Sequence, residues 1–153
     1  MHALETMHAA LRPDGLLLDV RPALKHPWVE VQRDGIVRRL GQIDDSYRHS
    51  TLATSDAALQ VLIDAGQFVR ERERTFTFVY HCDSVDTWLA YMSEHWSTGR
   101  LSDEFIGRAR KALPIDTSGE LRILREIRAA QLRRAESRAA TRMSPICQPS
   151  SRQ

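Results

Sequence analysis

At 153 residues, with 42% hydrophobic and 27% charged side chains, the chain has the length and composition of one soluble globular domain with a real core. A net charge of +2 is too small to argue for a nucleic-acid partner on its own. No apolar run approaches the roughly 18 residues of a membrane span, and the N-terminus lacks the basic-then-apolar layout of a signal peptide.

Cys82 and Cys147 lie far apart and match no metal or redox spacing, so a reduced, cytoplasmic setting is expected. Lys25 and Lys111 are the only lysines, and nearly all the positive charge is therefore arginine.

The first element is a helix over His2 to Leu11, with Leu4, Met7, His8 and Leu11 at helical spacing. Pro13 forbids its continuation, and Asp14-Gly15 is turn chemistry. Leu16, Leu17, Leu18 and Val20 follow as a short apolar run that does not alternate. Brief, and closed by Pro22, the run predicts a strand buried on both faces in a parallel sheet.

Asp34-Gly35 sits between two runs rich in Val and Ile, which predicts a β-hairpin over residues 28–43. Ser55 or Asp56 can cap the next helix, whose apolar stripe is Ala58, Leu59, Leu62 and Ile63. Gly66 is placed to end it in a left-handed conformation. Phe68 to Cys82 reads as a long strand with Phe76, Phe78 and Tyr80 on one face. Its Arg70 to Arg74 section is expected to be a solvated end whose charges discourage edge aggregation.

Everything after Cys82 is expected to be helical. Asp83 or Ser84 caps a segment with Val85, Trp88, Leu89, Met92 and Trp96 at helical spacing, a pattern of core packing. Ser102 caps another, and Ser118 to about Arg142 is read as a last, Arg-rich helix. Residues 143–153 are expected to be disordered.

The order of helix, Pro-x-Gly turn, apolar strand, ribbon insertion, helix, Gly-Gln-Phe and long strand resembles one family. "ALETMHAALRPDGLLLDVRP" and "AALQVLIDAGQFVRERERTFTFV" are similar to the C-terminal half of class I S-adenosylmethionine-dependent methyltransferases, specifically the helix leading into the fifth strand and the helix and strand that follow it. The family's turn is commonly Leu-x-Pro-Gly-Gly. Asp14 here replaces the first glycine, and Gln67 intervenes between Gly66 and Phe68. The resemblance spans about Leu4 to Val79.

It implies an α/β fold, a partial Rossmann-like methyltransferase sheet with an inserted β-hairpin and a helical C-terminal region. Residues 1–82 would form the partial α/β domain, 83–142 the appended helices and 143–153 a tail. It also implies S-adenosylmethionine as cofactor and a small-molecule methyl acceptor. The glycine-rich loop and acidic strand end that hold this cofactor in the family have no counterpart in the chain, whose seven glycines are all isolated. No cofactor-binding residue is carried over, and catalysis by this chain alone is not expected.

The missing strands would leave the edge of Leu16 to Val20 open, so self-association or a partner chain at that edge is expected. A non-enzymatic interaction module or oligomerising subunit is the alternative function.

Arg21, at the C-terminal end of the first strand, and His26, Tyr47 and His49, in loops the resemblance sets near the acceptor, are the substrate-side candidates. No catalytic or metal-ligating set can be assigned. His81 and Cys82 are adjacent on a strand and so point to opposite faces. The arginines of residues 118–142 read better as a solvated face than as a nucleic-acid surface, since no aromatic residue accompanies them.

Overall fold

The structure, a computed structural model, describes residues 2–95, 101–115 and 117–135. Trp96, the expected extension of the last helix past Ala135 and the 143–153 tail lie outside the described residues.

Helix α1 (His2–Ala10) leads through the Asp14-Gly15 turn to strand β1 (Leu16–Pro22). Strands β2 (Trp28–Arg33) and β3 (Ile36–Gln42) form the expected hairpin, with Asp34 and Gly35 at φ 51° and 76° as a two-residue turn of this kind requires. Helix α2 (Tyr47–Asp64) ends at Gly66, which has the left-handed φ of 68° anticipated for it. Strand β4 (Phe68–Cys82), helices α3 (Val85–His95) and α4 (Asp103–Ala112) and strand β5 (Glu120–Arg134) complete the chain. Ser84 Oγ accepts the Thr87 N–H, and Ser102 Oγ the Phe105 N–H, so both expected caps form.

Together these elements make a mixed α/β chain with one antiparallel sheet of five strands and four helices. Strand β5 is its axis. On one edge β5 pairs with β4 along nearly its whole length. On the other edge β2 takes residues 120–124 and β1 takes residues 127–133, with β3 beyond β2. Side chains alternate along β5, so Leu121, Ile123 and Arg125 share one face and Ala130 and Leu132 the other. Helices α3 and α4 cover the first face with Trp88, Met92, Phe105 and Leu113, against Val29, Val31, Leu121 and Ile123. Leu4 in the first turn of α1 and Leu11 just past its end join Leu59 and Leu62 of α2 on the second face, against Leu17, Phe68 and Leu132.

Three expectations are corrected. Residues 120–134 are a strand, not a helix. Leu, Arg, Ala and Gln favour a helix locally, but Leu121, Ile123 and Arg125 also repeat with period two, and pairing on both edges outweighs the local preference. The C-terminal region is therefore not wholly helical, and the division at residue 82 does not coincide with the sheet, because β5 comes from the second segment.

The strand Leu16 to Val20 is neither buried on both faces nor paired with a parallel neighbour. It lies at the sheet edge antiparallel to β5, with Leu18 69% and Val20 59% exposed. Finally, α2 begins at Tyr47 rather than at Ser55 or Asp56, so these two residues lie inside it.

Among the described residues no helix is long and apolar enough to cross a membrane.

Gly41 in β3 has a φ of 151°, and a Cβ there would stand 2.7 Å from the Phe105 ring. Gly41→Ala is expected to lower stability by about 1–3 kcal/mol through this overlap. Thermal denaturation would show it as a lower midpoint, and Gly35→Ala, strained but unobstructed, separates backbone strain from steric overlap.

Candidate functional site

Residues 125 and 126 of β5 lie between the segment paired with β2 and the segment paired with β1. Across this junction the chain leaving β1 turns back, and the Ala23 N–H donates to the Glu126 carbonyl at 2.9 Å. The loop places His26 just before buried Pro27, whose carbonyl accepts the Ile43 N–H at 3.0 Å. That bond ties the start of β2 to the approach to α2, and so brings His26 beside Asp45 and His49.

Asp45 is the centre of the cluster. Its side chain is 6% exposed, and Oδ2 accepts a hydrogen bond from the Arg125 guanidinium. Oδ1 lies 3.3 Å from His26 Nδ1 and 3.7 Å from His49 Nε2. The two imidazole centroids are 4.9 Å apart. The Asp45 backbone N–H donates to His26 Nδ1 at 3.3 Å. Asp45 Oδ1 and His49 Nε2 are buried atoms without a hydrogen-bond partner among the described residues. Burial pulls the Arg125 guanidinium below its usual range, Asp45 opposes that, and nearby Arg48 reinforces it. On the same side of the sheet the Tyr91 phenol is pushed up to about 12, first by burial and then by Tyr80.

Of the candidates named from sequence, the fold brings His26 and His49 together. Tyr47 is next to the cluster in sequence but exposed, its hydroxyl accepting from the Arg48 side chain. Arg21 belongs to a different network. It lies 2.6 Å from Asp19 and 2.9 Å from Asp56, and Arg128 also binds Asp56. Two carboxylates face two guanidiniums there, so Arg21 stands apart from the His26, Asp45 and His49 cluster.

The other β5 arginines are likewise engaged within the protein. Arg122 donates to Gln32, Arg133 to Glu71 and Arg134 to the Leu11 carbonyl. Glu126 binds Lys25 at 2.9 Å.

Asp45 and Arg125 were not recognised from sequence. The signal for Asp45 was its spacing of four from His49, usable only once α2 is known to begin at Tyr47.

His26 also lines a groove of about 470 Å³ with Trp28, Arg39 and Thr77, in which the Arg39 guanidinium sits 4.7 Å from the centre of the Trp28 ring. A second groove, of about 490 Å³, follows β1 between α1 and α2.

Comparison with family models, with curated proteins and with solved structures finds no match to this chain.

Proposed function

We propose that this chain is the acceptor-side part of an S-adenosylmethionine-dependent methyltransferase-type fold, a partial Rossmann-like sheet that further polypeptide completes. The observation that carries this reading is the state of β1. Its outer edge is unpaired among the described residues, and Leu16, Leu18 and Val20 stand uncovered on one face. Phe76 and Phe78 of β4, 48% and 45% exposed, extend that apolar surface across β5.

The outer edge of β4 carries Arg70, Arg72 and Arg74, and β3 carries Arg38 and Arg39, charges that oppose strand addition. The outward-standing positions of β1 carry none. Strands β1 and β4 both run antiparallel to β5 and hence parallel to each other, with α2 crossing between them. This agrees with the strand, helix, strand order on which the family resemblance rests.

In this reading the missing strands, with the cofactor's glycine-rich loop, pair with β1 and come from an upstream segment or a separate chain. The methyl group passes by direct displacement from the sulfonium to the acceptor. This part of the fold positions the acceptor and excludes water, with the groove at His26, Trp28 and Arg39 as its surface.

The test joins the chain to the coding sequence preceding Met1 and measures S-adenosylmethionine binding by calorimetry. Micromolar binding by the longer polypeptide, and none by the 153-residue chain, is expected. Micromolar binding by the shorter chain overturns the reading.

The same open edge favours a second reading, an oligomerising module in which β1 pairs with a second copy. Sedimentation would then give a dimer that Leu18→Lys together with Val20→Lys converts to monomer, and a monomeric parent protein at high micromolar concentration rejects it.

A further inference from the structure

We propose that His26, Asp45 and His49 form a binding site for a divalent transition-metal ion of the zinc type. The inference stands on this cluster alone and does not rest on methyl transfer.

Two imidazole nitrogens and one carboxylate oxygen are a donor set suited to zinc and its neighbours in the first transition row. Their ligand atoms all lie within 4.8 Å of one another. A tetrahedral ion with bonds of about 2.0–2.2 Å sets its ligands about 3.4 Å apart. The separations of 3.3 and 3.7 Å from Asp45 Oδ1 to the two nitrogens are already close to that.

The cluster is also held in place before any ion arrives. Asp45 and His49 are four residues apart at the start of α2, and the bond from Ile43 to Pro27 fixes His26 opposite them. Arg125 occupies Asp45 Oδ2 and leaves Oδ1 directed at the histidines, the kind of outer contact that orients a ligating carboxylate.

Among the described residues Asp45 Oδ1 and His49 Nε2 are buried without a hydrogen-bond partner, and an ion between them satisfies both. The long contact from the Asp45 N–H to His26 Nδ1 is given up in exchange. The His26 and His49 side chains are 34% and 32% exposed, so the cluster lies near the surface although Asp45 Oδ1 and His49 Nε2 are themselves buried. The positive charges of Arg125 and Arg48 work against a cation held by charge alone. Magnesium and calcium, which require several oxygen ligands, are therefore excluded in favour of ions that imidazole binds well.

The experiment is calorimetric titration of the untagged full chain with zinc, with cobalt absorption as a second probe of tetrahedral coordination. One equivalent bound at micromolar or tighter dissociation constant is expected, with no response to magnesium or calcium. His26→Ala and His49→Ala are each expected to weaken binding about tenfold or more while circular dichroism stays unchanged. His81→Ala and His95→Ala leave it intact. Absence of one-to-one zinc binding overturns the proposal. So does binding that survives both His26→Ala and His49→Ala, which would place the ion on other surface histidines.

Discussion

Asp45→Ala is expected to destabilise the protein by about 3–5 kcal/mol, because it leaves the Arg125 guanidinium buried without its counter-charge. Asp45 and Arg125 are each 4% exposed, and their contact joins the start of α2 to the middle of β5. Water cannot replace the lost carboxylate without opening the junction between β1 and β2. Arg125→Met strands the carboxylate instead and is expected to cost a similar amount. The double variant removes both charges and is expected to be more stable than the sum of the two single losses predicts, by about 0.5–3 kcal/mol. Urea denaturation of the three variants gives all these quantities. A single-variant loss below about 1 kcal/mol would mean that the pair is solvated and that the junction does not hold the cluster rigidly.

Where an element's pattern is local, it could be read directly from the sequence. The Asp34-Gly35 turn, the Gly66 stop, the Ser102 cap and strand β4 depend on neighbours within a few residues, and each forms where expected. Strand β5 depends on partners far away in the chain. Its Leu and Arg content satisfies a helix equally well, and only β4, β2 and β1 together select the extended form. Misreading β5 then hid the site, because Arg125 seemed to belong to a solvated helix face. The apolar run at β1 forms the strand it predicts, but not one buried on both faces in a parallel sheet, because its place at the sheet edge is set by antiparallel pairing with the distant β5. His26 and His49 were named for lying in loops near an expected acceptor. Their convergence on Asp45 follows from the tie between Ile43 and Pro27, which no spacing rule anticipates.

Trp88→Ala is expected to lower stability by about 3–5 kcal/mol, the range for emptying a large aromatic site in a core. Trp88 is fully buried on α3 in the cluster that holds Val29, Leu121 and Ile123 of the sheet, and its ring centroid lies 6.1 Å from that of Phe105 on α4. Its removal takes away the body that spaces α4 from the sheet, where Phe105 approaches Gly41. Trp88→Phe separates volume from polarity. The indole Nε1 has no hydrogen-bond partner among the described residues, so phenylalanine discards a buried donor that contributes nothing favourable. That gain offsets part of the smaller cavity it leaves, and a loss of only about 1 kcal/mol is expected for this variant. Equal losses for Trp88→Phe and Trp88→Ala would show that Nε1 does find a partner, and that the core tolerates missing volume better than a missing hydrogen bond.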